Sequence, residues 1–319
     1  MFNGVFYFFN DFAGISGNLI SSLVLSAGSK DIRKGEFCGA MDCGIHLVTN
    51  WTSHDVTNSS TSNSSTGLSG NKKQELVYTL FGVFLACNIL AALIAGFCLD
   101  KDTKNSERAS EEPTPVSQLL LRTVRVFKDV DYLLLLPILV IIGMSEALPS
   151  GDITKSYVGC ALGVQMVGYV MMCYCATSSV VSPLFGHLSK YEGARILILV
   201  AAAANAVLLI YMLLWQPDED SLATILSVTG GWAVVTAVWR IQLLAVLGVM
   251  YPSNQEAVFA NAKMAGSIGS MLVFAYSSAL CMDVKLYIYM AVLALGTVGY
   301  GAMECKTRYK NNPETNKLI

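Results

Sequence analysis

The stretch ILILVAAAANAVLLIYMLL (residues 196–214) carries no charged side chain. A helix needs about 20 mostly apolar residues to cross the hydrocarbon core of a bilayer. A transmembrane β-strand would need apolar and polar residues to alternate, and this run does not alternate. The stretch therefore predicts a membrane-spanning α-helix, because a lipid-exposed backbone must satisfy its own hydrogen bonds.

Further runs of the same kind lie on both sides of this stretch. The predicted spans are 2–25, 76–99, 132–149, 158–182, 196–215, 222–247, 264–281 and 286–303. The composition agrees, since 54% of the 319 residues are hydrophobic and 14% are charged, whereas soluble domains carry roughly 25% charged residues. We predict an all-α fold, a multi-pass transmembrane helical bundle of about eight spans.

The same composition disfavours several classes of function. The net charge of −2 gives no sign of the basic surface that nucleic-acid binding requires. The three histidines lie far apart, and the nine cysteines form no CxxC pair, so the sequence predicts neither a metal site nor a redox motif. We expect a protein that is not an enzyme and that has no cofactor.

One polar loop, residues 26–75, combines glycosylation acceptors with cysteines. The acceptors are Asn50, Asn58 and Asn63, each in an Asn-x-Ser/Thr sequence without proline. Such sites are modified only in the lumen or outside the cell. An oxidising compartment would allow Cys38 and Cys43 to pair, and two free thiols are the alternative.

The distribution of basic residues is consistent with an outer position for this loop. Thirteen of the 21 Lys and Arg residues then fall on the inner side, and seven fall on the outer side. This excess agrees with the positive-inside rule. We therefore predict that residues 100–131 and 304–319 are cytoplasmic.

Polar residues inside the predicted spans are the candidate functional residues. They are Asp11, Asn18, Glu146, Gln165, Arg240 and Gln242. A charge inside a span is expensive, so Arg240 is expected to face a cavity, a partner carboxylate or the inner interface, unless it snorkels to the cytoplasmic end. For Glu146 and Gln165 the alternatives are capping of a helix end and packing between helices.

Small residues predict close contacts between helices. Gly159-x-x-x-Gly163 and Gly266-x-x-Gly269 are each expected to form a face on which another helix packs. Cys160 and Cys281 are interpreted as small apolar packing residues.

A short predicted cytoplasmic loop resembles the signature turn of the major facilitator superfamily. It runs from Gly186 through Lys190 and Gly193 to Arg195. A tight turn of this kind lets two helices approach, and its basic residues can anchor to helix C-termini or anionic headgroups.

More specific runs resemble the uncoordinated-ninety-three (Unc-ninety-three) family of ion channel regulatory proteins, and most closely its A-type branch. The runs are Gly14 to Ser22, Cys38 to Cys43, Ser156 to Val158, Gly163 to Met171, Glu256 to Asn261 and Val284 to Ile288. The resemblance extends over about residues 4–305.

This resemblance implies twelve spans in two six-helix halves, of which this chain would begin at the fifth. Residues 1–99 would then hold the last two helices of the first half, 100–131 the central linker, 132–303 the second half and 304–319 the tail. A short isoform and an incomplete gene model both fit such a start. Without the missing helices, polar faces would meet lipid, so we expect the chain to be unstable or to assemble with another membrane protein.

The resemblance also implies a function. We expect an accessory subunit in the membrane, most simply the plasma membrane, that modulates a potassium channel through helix–helix contacts among the lipids. A secondary transporter of small solutes and a trafficking partner of membrane proteins are the alternatives. The oligomeric state is open.

Overall fold

The computed structural model describes residues 2–28, 38–43, 66–98, 125–192, 194–218 and 220–311. Within these ranges the chain forms eight α-helices, a short 3₁₀ turn at Gly39–Met41 and a π-helix at Pro149–Gly159 that continues the third helix. The helices are α1 (Phe2–Gly28), α2 (Thr66–Cys98), α3 (Val130–Leu148), α4 (Val164–Glu192), α5 (Ala194–Leu214), α6 (Leu222–Met250), α7 (Gln255–Tyr276) and α8 (Met282–Asn311).

Six of the described helices are long and apolar enough to cross a membrane, and they confirm the prediction of a multi-pass helical bundle. They run over Val130–Gly159, Val164–Leu188, Arg195–Leu214, Leu222–Met250, Gln255–Tyr276 and Met282–Thr307. Helices α1 and α2 form where the spans 2–25 and 76–99 were predicted, but they are not among the six. In α1, Asn10, Asp11 and Asn18 interrupt the apolar run, and in α2 the continuous stretch of described side chains, Phe81–Ile94, is apolar but shorter than a span.

Two predicted boundaries between the spans are wrong. The predicted span 158–182 begins inside the π-helix, and the true break lies at Gly163, whose φ of 89° only glycine adopts readily. Gly159 and Gly163 therefore do not share a packing face on one helix, as their spacing had predicted. The predicted span 264–281 begins nine residues late, because α7 starts at Gln255 and buries the amide of Asn261 inside the bundle.

The last helix is also longer than the predicted span 286–303. Lys285 lies inside α8 because its ammonium is neutralised by a buried carboxylate. At the other end the helix continues to Asn311, so the first part of the predicted tail 304–319 is helical. Glu304 there pairs with Arg195 at the start of α5.

Helices pack most closely where glycines face backbone. A Cβ on Gly143 of α3 would overlap the Gly266 carbonyl of α7, and one on Gly269 would overlap the Val140 carbonyl. The Gly266-x-x-Gly269 pattern is thus confirmed as a packing face. In α8, Gly299 lies in the same way against the Leu134 carbonyl. Small residues let helix backbones approach closely, and this packing stabilises helix contacts in lipid, where the hydrophobic effect does not.

The segment around the 3₁₀ turn lies across one end of the bundle, where it is held by two disulfides. Cys38 is bonded to Cys160 beyond the π-helix, and Cys43 is bonded to Cys281 before α8. The predicted Cys38–Cys43 pair is therefore wrong, and Cys160 and Cys281 are not free packing residues. Sequence proximity favoured the local pair, but folding brings two remote thiols next to the segment.

The glycines of α8 allow a matched test of the packing. Replacing Gly299 by Ala forces its Cβ onto the Leu134 carbonyl, and we expect a loss of about 1–3 kcal/mol in the free energy of unfolding. Gly301→Ala, two residues further on, meets open space and is expected to be neutral or stabilising by up to about 1 kcal/mol. Thermal unfolding in detergent compares the two; equal stability would contradict the packing.

The disulfide pattern is tested by peptide mapping without reduction. We expect cross-linked peptides that join Cys38 to Cys160 and Cys43 to Cys281. In Cys160→Ser, a thiol reagent is expected to label Cys38 while the second disulfide stays intact. Recovery of a Cys38–Cys43 peptide from the unmodified protein would contradict this connectivity.

Candidate functional site

The centre of the candidate site is an ion pair between α1 and α6. Arg240 donates from Nη1 to Asp11 Oδ1 at 3.1 Å and from Nη2 to Asp11 Oδ2 at 2.7 Å. Both residues are buried, with 4% of Arg240 and 7% of Asp11 exposed. Of the alternatives for Arg240, the structure thus selects a partner carboxylate over snorkelling to the inner interface.

Side chains from α4 and α1 complete this pair. The Ser178 hydroxyl donates to Asp11 Oδ2 at 2.6 Å, and it accepts from Arg240 Nη2 at 2.6 Å. The ring of Tyr7, one helical turn before Asp11, lies with its centroid 4.5 Å from Arg240 Cζ. A guanidinium over an aromatic face is attracted by the ring quadrupole. The pair therefore holds α1 against α4 and α6.

Two further charged residues form the open edge of the site. Glu146 of α3 places Oε1 3.6 Å from Arg240 Nη1, and 43% of its side chain is exposed. Lys263 of α7 is exposed and donates from Nζ to the Tyr7 hydroxyl at 3.1 Å. Four helices thus bring two carboxylates and two cations together within the bundle.

The remaining predicted candidates lie apart from the ion pair and contact backbone or sulfur. Asn18 donates to the Gly14 carbonyl at 2.9 Å and to Cys175 Sγ at 3.6 Å. Gln165 contributes its backbone carbonyl, which accepts from Ser22 Oγ at 3.5 Å. Gln242 donates to the Phe185 carbonyl at 3.2 Å. These contacts agree with packing between helices.

The signature turn and the glycosylation acceptors are described only in part. Gly186 is buried and lies against Gly4 of α1, while Arg195 pairs with Glu304. Gly193 and the side chain of Lys190 are outside the described residues, as are Asn50, Asn58 and Asn63.

The sequence reasoning missed a second buried ion pair, at the end of the bundle that carries the disulfides. Lys285 Nζ donates to Asp152 Oδ1 at 2.7 Å and to the Ser277 carbonyl at 2.7 Å, and Ser277 Oγ donates to the same carboxylate oxygen at 2.6 Å. Asp152 is 0% exposed and Lys285 3% exposed. The available signal was a lysine directly before the predicted span 286–303, but a charge at the edge of an apolar run does not show whether it is buried.

At the opposite end, outside the spans, Tyr251 closes the loop between α6 and α7. Its hydroxyl donates to Asp129 Oδ2 at 2.7 Å. Burial raises the pKa of Tyr251, and the hydrogen bond to the Asp129 carboxylate raises it further. The tyrosine therefore stays neutral and acts as a fixed donor that ties α3 to this loop.

The chemistry available to the site is pairing and proton binding. Within the described parts of the chain, no group of three or more His, Cys, Asp or Glu side chains could hold a metal ion. The site also presents an arginine whose two terminal nitrogens are both bound to Asp11. This arrangement fixes helix positions and leaves Glu146 as the more weakly bound carboxylate.

The strength of the central pair is tested by removing its cation. Arg240→Gln leaves Asp11 buried without a counter-charge, and breaking a buried pair from one side costs about 3–5 kcal/mol. Adding Asp11→Asn is expected to recover part of this loss, because no buried charge then remains unpaired. Unfolding in detergent measures both variants.

The matched control is Lys306→Gln, which breaks the exposed pair of Lys306 with Asp131 at the end of α8. Exposed pairs contribute at most about 1 kcal/mol. If Arg240→Gln were no more destabilising than Lys306→Gln, the central pair would not hold α1 to the bundle.

Comparison with known proteins identifies relatives over nearly the whole chain. The sequence model of the family described as "Ion channel regulatory protein UNC-93" matches residues 36–300. "Protein unc-93 homolog A" of Mus musculus is 36% identical over 309 residues, which cover 94% of this chain and 64% of the mouse protein. The Xenopus laevis protein of the same name is 37% identical over 332 residues, covering 99% of this chain and 69% of the frog protein.

A more distant relative has a more specific name. The "Putative potassium channel regulatory protein unc-93" of Caenorhabditis elegans is 25% identical over 311 residues, which cover 95% of this chain and 42% of the worm protein. The chain thus spans roughly two thirds or less of these relatives. Since the family match covers most of the chain, and since the vertebrate proteins share more than a third of its residues, the chain belongs to the UNC-93 family.

Proposed function

We propose that this protein is a non-enzymatic accessory subunit that regulates a potassium channel through contacts between helices in the bilayer. The family match carries this proposal, since the family is described as ion channel regulatory and the worm relative is named for a potassium channel. The six apolar spans support this proposal, because a channel also lies in a membrane. A regulator of this kind acts by binding the open and closed channel with different affinity.

Helix α2 is the surface that we assign to the channel. It packs mainly on α1, and large apolar side chains are exposed along the described part of the helix. They are Tyr78, Phe81, Leu85, Ile89, Leu90, Leu93 and Ile94. Helices associate in lipid through packing and hydrogen bonds rather than through the hydrophobic effect, so a helix with few contacts among the described residues is available to another protein.

We further propose that the end of the bundle with the disulfides faces outward at the plasma membrane. Disulfides persist in oxidising compartments, and the residues 38–43 lie at the same helix ends as Pro217 and Met282. This orientation puts glycans at Asn50, Asn58 and Asn63 outside and residues 100–131 in the cytoplasm. Residues 132–303 then form the second half of a major-facilitator-type fold, after the helix pair of residues 1–99.

Co-expression with a panel of potassium channels tests the regulatory function. We expect current through at least one channel to change several-fold, since a coupling of about 1–3 kcal/mol between binding and gating suffices. The double variant Phe81→Ala with Leu85→Ala on α2 is expected to abolish the change. The matched control, Ile196→Ala with Val200→Ala, alters exposed apolar residues on α5 and should preserve it.

The same recordings separate regulation from the trafficking alternative. A change in the surface density of the channel with unchanged gating would indicate a trafficking partner. Unchanged current, surface density and co-purification across the panel would contradict the proposed function.

A secondary transporter is the second candidate, and the charged residues of the spans favour it. Glu146 and Lys263 are both exposed inside spans, and such residues often mark ion or substrate pathways. Uptake of solutes into proteoliposomes, with and without a proton gradient, tests this function. Uptake that is lost in Arg240→Gln but retained in Lys306→Gln would support transport.

A further inference from the structure

Glu146 combines exposure with a position deep inside a span. It lies 16 residues after Val130, the first residue of a 30-residue span, so it is about 24 Å along the helix at 1.5 Å per residue. Its side chain is 43% exposed. A carboxylate at such a depth is costly where it faces lipid, and this cost falls on the charged form alone.

The neighbouring cations are already engaged by other groups. Arg240 gives both terminal nitrogens to Asp11 and shares one of them with Ser178, and its 3.6 Å approach to Glu146 exceeds the length of a good hydrogen bond. Lys263 directs its ammonium to Tyr7, and in the described structure it forms no ion pair with Glu146.

Four other helices pack around this carboxylate or its arginine, and their ionisable groups set its surroundings. Its charged neighbours are Arg240 of α6, Lys263 of α7 and Asp11 of α1. Tyr174 of α4 faces Arg240, and Cys175 of the same helix faces Asp11 and Arg240. Asp11 is the only one of these groups that competes with Glu146 for the same cation.

We propose that Glu146 is a proton-binding site in the membrane interior, and that its proton decides whether Arg240 is shared between two carboxylates. With the proton on its carboxyl oxygen, Glu146 is neutral and Arg240 serves Asp11 alone, as the distances describe. When the proton leaves to water, the ionised carboxylate needs to move less than about 1 Å to bond Nη1. The second N–H of Nη1 can donate this bond while the first stays on Asp11, so Asp11 and Glu146 then share one arginine as two like charges. Their repulsion loosens the hold of Arg240 on Asp11, and α1 is held less tightly against α4 and α6.

The direction of the pH effect follows from this competition. At low pH Glu146 is protonated and α1 is docked by the intact Asp11–Arg240 pair. As the pH rises through the titration of Glu146, the competing charge appears and α1 loosens. This inference does not depend on the regulation of a channel. The co-expression recordings test only the regulatory function, and the experiments below test only the proton site.

Labelling with a hydrophobic carbodiimide, N,N′-dicyclohexylcarbodiimide, reports the proton directly. The reagent adds to a protonated carboxyl: the acid proton moves to a carbodiimide nitrogen, the carboxyl oxygen bonds the central carbon, and nothing leaves. In the full chain in lipid nanodiscs, mass spectrometry should find an adduct on Glu146 that falls about tenfold per pH unit above its midpoint. Asp11 should remain unlabelled.

Glu146→Gln is the control for this labelling, since it keeps the shape and removes the acid. Loss of the adduct in this variant, together with the pH dependence in the unmodified protein, supports the site. No adduct on Glu146 at any pH, or an adduct whose yield is independent of pH, would overturn the proposal.

The movement of α1 is measured with an engineered disulfide to the native Cys175. A Cβ on Gly14 would lie 2.9 Å from Cys175 Sγ, whereas one on Gly17 meets nothing within 4 Å. Gly14→Cys should therefore cross-link to Cys175 under mild oxidation, and Gly17→Cys should not. Thiol counts by mass spectrometry give the yield.

The pH dependence of this cross-link is compared with and without the acid at position 146. Thiolate formation rises with pH equally in both backgrounds, so the ratio of yields isolates the motion of α1. We expect the yield in Gly14→Cys, relative to Gly14→Cys with Glu146→Gln, to fall several-fold as the pH rises. A constant ratio in folded protein, verified by thermal unfolding, would overturn the coupling to α1.

Discussion

The attachment of α1 to the rest of the bundle depends on the ion pair between Asp11 and Arg240. In the low dielectric of the interior, each charge would be prohibitive alone, and together they are compatible with burial because their hydrogen bonds match. Ser178 bonds to both members of the pair, and the ring of Tyr7 lies against the guanidinium. The helix that carries Asp11 has polar residues that would otherwise face lipid, so the pair gives them a protein environment.

One end of the bundle is held by disulfides and by a second buried ion pair. Two disulfides join the segment 38–43 to Cys160 after the π-helix and to Cys281 before α8, and the buried pair of Asp152 and Lys285 lies at the same end. The π-helix that carries Asp152 ends directly before Cys160, so a disulfide and an ion pair both hold this short segment. The bundle is thus clamped covalently at one end and held by an ion pair in its middle.

This arrangement leaves two kinds of surface available for function. One is the apolar surface of α2, which the proposed regulatory role assigns to a channel. The other is the open edge at Glu146 and Lys263, where charges remain exposed within spans. The two surfaces suit different tasks, since the first offers packing and the second offers a group that can gain or lose a proton.

The amino-acid sequence alone determined the class of fold, because the length and hydropathy of runs such as 196–214 allow only a membrane helix. It also identified Asp11, Glu146 and Arg240, because a charge in an apolar run stands out without any structure. Their pairing could not be predicted, since 229 residues separate Asp11 from Arg240 and spacing carries no information over that distance. The disulfides and the Asp152–Lys285 pair were missed for the same reason: only the packed helices decide which remote groups meet, and therefore which polar residues can lie inside the bundle.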